Sequence, residues 1–220
     1  GPDCADIYEE QINQNNQYKY DGAWLNIQKE DVEIEVRTQS GIVKEKHTIE
    51  RTHHGPIIKR MPDRAFVVKT AYDQQVGFVD QLLDILLSTN IGDFLNALSA
   101  NQLLPQNIMY ADIYVNSFYL RAGRVPIRSL DYDWNQPVPG WTSKTEWQGI
   151  HPLSDLVQIL NPGIGYMQNC NISPGSMMPN SPLQPEHYPP YIYNDKKDRT
   201  NSRGRRALQL LDADANLTLD

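Results

Sequence analysis

Asn161-Pro-Gly-Ile-Gly-Tyr-Met-Gln-Asn-Cys-Asn-Ile-Ser-Pro174 anchors the reading of this chain. It opens with turn chemistry, continues as a short apolar segment that reads as a strand, and ends in Asn169-Cys170-Asn171 before Ser173-Pro174. Two side-chain amides at a strand end are costly to bury without partners. An amide N–H2 held at a fixed place is one of the groups that stabilise a developing oxyanion. A polar loop capped by asparagine is the plain alternative.

Outward from this segment the chain alternates strand and helix patterns. Val32-Glu-Ile-Glu-Val36 has period two, and after Ser40-Gly41 the run Ile42–Ile49 alternates less cleanly, so the two read as a hairpin with one buried face. Thr52–Ile58 breaks that pattern and starts another strand, and Ala65–Val68 is a further one. Phe78–Leu87 predicts a helix with a wide buried stripe, and Ile91–Leu98 a second helix. Ile108–Tyr114 and Phe118–Leu120 read as a hairpin around Val115-Asn116-Ser117. Gln11–Trp24 reads as a loop, and Ser202–Leu211 as a short helix with the chain entering another after Asn216. Residues 174–193 carry six prolines and read as a long surface loop. The whole of 1–220 is taken as one partial domain of α+β class.

Composition narrows the function. The formal charge is −7, and the one basic cluster (Lys196, Lys197, Arg199, Arg203, Arg205, Arg206) is interrupted by Asp195 and Asp198, so no nucleic-acid groove is expected. No apolar run is long enough to span a bilayer as a helix. Cys4 and Cys170 fit neither a zinc site nor a disulfide-dense scaffold; one bridge between them is open, and two unpaired thiols is the favoured reading. Gly1-Pro2 is not a natural translation start and reads as the product of processing or of a cut in a longer chain.

Asp3-Cys4-Ala5-Asp6 spaces two carboxylates three apart with Glu9 and Glu10 nearby, a pattern of hard oxygen donors that suits calcium and otherwise reads as a solvated acidic terminus. His53 and His54 are adjacent; on a strand they point to opposite faces and do not share one metal, which gives them a structural role. Asn171-Ile-Ser173 and Asn216-Leu-Thr218 match the glycosylation sequon, a pattern frequent by chance. Neither G-x-S-x-G nor a phosphate loop is present.

Taken in order, Asp3-x-x-Asp6-Ile-Tyr-x-Glu, Arg51-Thr-x-His-Gly55, Asn90-Ile-Gly-Asp-Phe94 and Asn107-x-x-Tyr-Ala-Asp112 are joined by a second set. That set is Pro137-Val-Pro-Gly140, Glu146-Trp-x-Gly149, Asn161-Pro-x-x-Gly165-Tyr, Asn169-x-Asn171-x-Ser-Pro174 and Arg203-x-x-Arg206. The full series resembles the beta chain of the penicillin amidase (penicillin acylase) family of N-terminal nucleophile hydrolases.

The resemblance implies part of a four-layer αββα sandwich and an amidohydrolase that cleaves N-acyl bonds through an acyl-enzyme. In that family the nucleophile is the first residue of the beta chain, usually Ser, with its own α-amine as base. Gly1, Pro2 and Cys4 cannot fill that role, so the chain is expected to begin inside the beta chain and to be inactive alone. By resemblance Asn171 is the oxyanion-hole asparagine, Arg203 an arginine that organises the site, and Leu82 and Gln106 line the acyl pocket. Asp3, the Ala5 carbonyl, Asp6 and the Trp134 carbonyl match calcium ligands. The implied partners are the alpha chain, the remainder of the beta chain and a small N-acyl substrate, in a periplasmic or secreted protein with no nucleic acid and no membrane. β-Lactams and acyl-homoserine lactones both stay open as substrates. The alternative from another class is a non-catalytic relative that binds a ligand or partner.

Overall fold

The computed structural model describes residues 1–195 and 199–214. Lys196 and Lys197 of the basic cluster, and the sequon and helix start at Asn216, lie outside the described residues. The strands are β1 (Ala5–Gln11), β2 (Gln17–Tyr20), β3 (Ala23–Asn26), β4 (Gln28–Thr38), β5 (Gly41–Thr52), β6 (Gly55–Arg60), β7 (Arg64–Thr70), β8 (Gln106–Ala111), β9 (Ser117–Ala122), β10 (Val138–Pro139) and β11 (Gln158–Leu160). The helices are α1 (Phe78–Leu87), α2 (Ile91–Leu98), α3 (Pro190–Tyr193) and α4 (Ser202–Ala213), so the class is α+β as expected. The chain forms two compact units: Ala5–Asp73 with Pro126–Gly149, and Gly1–Cys4 with Gln74–Val125 and Ile150–Asp220.

The first of these holds a six-stranded sheet in the order β10-β1-β7-β6-β5-β4. β1 runs antiparallel to β7 and parallel to β10. Period two places Asp6, Tyr8 and Glu10 together on its buried face. The acidic segment is therefore the middle of a sheet and not a solvated terminus: Glu10 is 0% exposed. Tyr8, Val67 and Val138 pack with Tyr132 and Trp134, and a second cluster joins Ile12, Tyr18, Ile27 and Ala65.

Gln11–Trp24 is not a loop. β2 and β3 pair through Asp21-Gly22, both at positive φ (44° and 86°), the dipeptide that a tight hairpin turn favours. The β4–β5 hairpin forms with the expected turn, but Ile34, Ile42, Val43 and Ile49 are exposed, so its expected buried face has no cover in this unit. Its backbone ladder pairs Gln28–Thr38 with Gly41–Arg51, and exposed cross-strand ion pairs, Lys46 on Asp31 at 2.9 Å and Lys44 on Glu33 at 3.4 Å, add a little to it.

The second unit has a three-stranded antiparallel sheet in the order β11-β9-β8, with β9 buried at the centre. β8 stops at Ala111, short of Tyr114, because the Asp112 carboxylate accepts the backbone N–H groups of Tyr114 and Asn116 and closes a turn. α2 is capped by Asn90, whose Oδ1 accepts from Asp93 N, and it packs Phe94 on Tyr110 of β8 with ring centroids 4.5 Å apart. α1 lacks the expected buried stripe. Its one buried residue is Gln81, and Val79, Leu83, Leu86 and Leu87 lie on the surface. Gln81 Nε2 donates to the Ala97 and Leu98 carbonyls while its Oε1 accepts from Gln102 N. One amide thus satisfies the C-terminal carbonyls of α2.

Residues 174–193 are not a surface loop. Short 3₁₀ turns begin at Pro174 and Pro185, α3 begins at Pro190, and Met177, Leu183, Ile192 and Tyr193 between the prolines are buried. Proline suits the first position of a helical turn, where no N–H partner is needed.

Candidate functional site

Residues 161–174 hold no strand; Gly165 N closes a turn on the Pro162 carbonyl at 2.8 Å, and Gln168 N finds the Met177 carbonyl and not a sheet. Side-chain amides shape the end of this segment. Asn169 Oδ1 accepts from Asn171 N at 3.1 Å across Cys170 and from Asn107 Nδ2 at 3.4 Å. Tyr119 OH in turn donates to Asn107 Oδ1 at 2.7 Å, tying the loop to the centre of the sheet through β9. This turn holds Asn171 at φ 58°, a left-handed conformation that asparagine tolerates. Asn169 Nδ2 is buried and has no hydrogen-bond partner among the described residues.

α4 supplies the other half. Asn201 caps it by accepting from Gly204 N, and the same side chain donates to the Cys170 carbonyl at 2.9 Å. The cap places Arg203 in the first turn. Its Nη2 donates to the Cys170 carbonyl at 3.1 Å and to Asn171 Oδ1 at 2.9 Å. The guanidinium therefore fixes which way the Asn171 amide points: Oδ1 is taken, and the Nδ2–H2 donors are what remain for a ligand. The structure thus brings together Asn171 and Arg203, distant in sequence. Leu82 sits partly exposed on α1, and Gln106 is exposed at the start of β8.

Beyond Asn171, Ser173 is committed to structure. Its hydroxyl donates to Asp195 Oδ2 at 3.0 Å and accepts from Arg199 N at 2.9 Å, while Arg121 pairs with the same Asp195 oxygen at 3.0 Å. Held between the Asp195 carboxylate and the Arg199 N–H, the Ser173 hydroxyl anchors the end of this segment. Cys4 and Cys170 form no disulfide.

Of the oxygen donors matched to calcium, Ala5, Asp6 and Trp134 belong to the unit built on the larger sheet, and Asp3 to the other. Carboxylate and carbonyl oxygens are the donor type calcium takes. At Asp6 a competing cation is present: Oδ2 accepts from buried Arg128 Nε at 2.8 Å and from Trp147 Nε1 at 2.7 Å. The Trp134 indole N–H is used within its own loop, on the Ser129 carbonyl at 2.7 Å.

A second polar cluster went unread in the sequence. His53 and His54 do not alternate across a strand; they are the turn between β5 and β6, and their rings lie 3.8 Å apart on one side. The turn is tight because Gly55, at φ 146°, lies against the Val68 carbonyl, where no Cβ fits. His54 bridges Glu10 (Nδ1 to Oε1, 2.7 Å) and Glu146 (Nε2 to Oε1, 2.9 Å) with Tyr8 stacked on its ring. His53 Nε2 meets the same Glu146 oxygen at 2.9 Å, and Lys69 pairs with Oε2 at 2.8 Å. Burial, the largest influence, pulls the His54 pKa down, but the hydrogen bonds to Glu10 and Glu146 outweigh it and leave it raised. Burial pushes Glu146 up, and its bonds to His53, His54 and Lys69 hold it far below the usual carboxylate range.

Comparison with known proteins bears on the family of the chain. The penicillin amidase family model matches residues 1–220. Penicillin G acylase of Escherichia coli is 29% identical over 186 residues, 82% of this chain and 21% of that protein. Penicillin acylase 2 proenzyme of Pseudomonas sp. (strain SE83) is 26% identical over 140 residues, 62% of this chain and 18% of that protein. The solved structure of a thermostable penicillin G acylase from Alcaligenes faecalis superposes with a TM-score of 0.68 at 30% identity, covering 78% of this chain and 31% of that one.

Proposed function

This chain belongs to the penicillin amidase family, and on that premise we propose that the whole protein is an amidohydrolase cleaving linear N-acyl amides, with Asn171 as an oxyanion donor. The chain spans about a fifth of the length of the curated relatives it matches (21% and 18%), so the nucleophile is assigned to another part of the protein: an N-terminal serine. The observation that carries the reading is the Arg203 clamp on Asn171 Oδ1, which leaves two amide N–H donors for a ligand.

In this mechanism the serine Oγ attacks the acyl carbonyl carbon and its proton passes to the α-amine of the same residue, which titrates near neutrality. The carbonyl oxygen becomes an oxyanion and accepts from Asn171 Nδ2. Collapse breaks the C–N bond and the leaving amine takes the proton. Water then attacks the acyl-enzyme through a second oxyanion held in the same way. A donor of this kind is worth roughly 3 to 4 kcal/mol of barrier.

The rest of the reading rests on the family. Leu82 and Gln106 line the acyl pocket, and calcium is structural, held by Asp3, the Ala5 and Trp134 carbonyls and Asp6. The partners are the alpha chain and the remainder of the beta chain; the exposed apolar side chains of α1 (Val79, Leu83, Leu86, Leu87) support a cover from elsewhere in the protein. Export to the periplasm or the medium belongs to the same reading.

The test is acyl transfer itself. Whole protein mixed with a chromogenic phenylacetyl amide or with penicillin G gives a burst of amine and a trappable acyl-serine, whereas the 220-residue chain alone gives neither. Hydrolysis by the isolated chain, or none by the whole protein on any acyl amide, would overturn it.

A further inference from the structure

We propose that His53, His54 and Glu146 form a binding site for a divalent transition metal, zinc above all, with Glu10 and Tyr18 as its supporting shell. The ligand atoms are His53 Nε2, His54 Nε2 and Glu146 Oε1. Each nitrogen lies 2.9 Å from that one oxygen. A tetrahedral zinc with bonds of about 2.0–2.1 Å separates its ligands by about 3.3 Å. Each nitrogen therefore moves about 0.4 Å away from that oxygen to admit the ion.

The atoms behind the ligands strengthen the assignment. A metal-bound imidazole donates its other N–H to a carboxylate or another oxygen, which fixes the ring and raises its basicity. Both histidines are so provided: His54 Nδ1 lies 2.7 Å from Glu10 Oε1, and His53 Nδ1 lies 3.0 Å from Tyr18 OH. Thr52 Oγ1 donates to the same Glu10 oxygen at 3.1 Å and orients it. Glu10 Oε2 is buried with no hydrogen-bond partner among the described residues. That carboxylate, 0% exposed, thus serves His54 and Thr52 through one oxygen.

Charge and access agree. Two carboxylates, Glu10 and Glu146, face one ammonium, Lys69, which holds Glu146 Oε2, while Oε1, which also accepts from Tyr20 OH at 3.3 Å, is the oxygen turned to the histidines. His54 is fully enclosed, but the His53 side chain is 32% exposed and gives the metal a way in. The three ligands leave a fourth position for water. Two imidazoles select zinc, copper or nickel over calcium, so this site is distinct in chemistry from the all-oxygen set at Ala5, Asp6 and Trp134. On binding, zinc takes the place of the proton between His54 Nε2 and Glu146, which leaves to solvent, and the His53 proton moves to Nδ1 toward Tyr18.

The experiment is calorimetric titration of chelator-stripped protein with Zn²⁺, and with Co²⁺ followed by its visible absorption. One equivalent is expected, with the strong d–d bands of a tetrahedral cobalt site. His53→Ala and Glu146→Gln should each weaken binding by at least about tenfold. His53 is at the surface, so its variant tests the site without risking the fold, and circular dichroism confirms that both variants are folded. His47→Ala, at an exposed histidine on β5, should bind as the parent does. No stoichiometric uptake, or uptake that His53→Ala leaves unchanged while His47→Ala removes it, would overturn the proposal.

Discussion

Arg203 Nη2 donates to Asn171 Oδ1 across 2.9 Å, and the same nitrogen reaches the Cys170 carbonyl at 3.1 Å. A bond to Oδ1 favours the amide orientation that leaves both Nδ2 hydrogens available, which is the donor end the proposed oxyanion role requires. Preorganised donors of this kind need no reorientation during the reaction.

Arg203 is in this account a positioning residue. Arg203→Ala in the whole protein should lower kcat by about tenfold, or ~1.4 kcal/mol, with a smaller change in KM. Arg203→Lys keeps the charge but not the fork, and should recover only part of the rate. Steady-state kinetics with one acyl amide separates these outcomes. An equal rise in KM with kcat intact would reassign Arg203 to substrate binding.

Gln81 ties α1 to the end of α2. Gln81→Leu fits the space but strands the Ala97 carbonyl and Gln102 N, while the Leu98 carbonyl keeps Asn101 N, at a cost of about 1–3 kcal/mol for such unpaired groups. Thermal or urea unfolding of the variant measures this loss. Parent-like stability would show that the amide is not required.

Gly55 carries the turn that sets both histidines on one side. Gly55→Ala forces a Cβ against the Val68 carbonyl at a φ that L-residues avoid, and should cost at least about 2 kcal/mol. The loss should appear in the unfolding midpoint and in zinc uptake together.

Much of the secondary structure was legible, and its failures have physical causes. The helices at 78–87 and 91–98 and the hairpin at Ser40-Gly41 arise from period and turn chemistry. Burial was less legible. Leu83 and Leu86 spell a buried stripe, yet both lie exposed among the described residues, because periodicity reports which face is apolar and not what covers it. Asp6 and Glu10 looked solvated since acidic side chains usually are, but Arg128 and His54 partner them inside the sheet. His53 and His54 were misplaced by a strand reading where Gly55 marks a turn. At the proposed oxyanion site Asn171 is singled out by its motif context, whereas the Arg203 contact on it needed the fold, because α4 closes on the loop only in three dimensions.

The chelator-treated protein should have a definite pH profile. The folded pKa of His54 is raised, so its stabilisation is fully present below about pH 6.5, the ordinary value, and is lost as pH rises through the folded one. The folded pKa of Glu146 is depressed, so its contribution is present above about pH 4.3 and is lost as pH falls toward the folded value. Both contributions coincide between about pH 4.3 and 6.5. Urea midpoints measured from below to above this window should flatten on the acid side in Glu146→Gln and on the alkaline side in His54→Gln; unchanged profiles would show that the network does not titrate with folding.

The measurement that bears most directly on the central claim is kcat for Asn171→Ala in the whole protein. Loss of one preorganised oxyanion donor should reduce kcat by about 10²–10³-fold while leaving KM near that of the parent. A variant that keeps the parent kcat would contradict the assignment of Asn171 to the oxyanion hole.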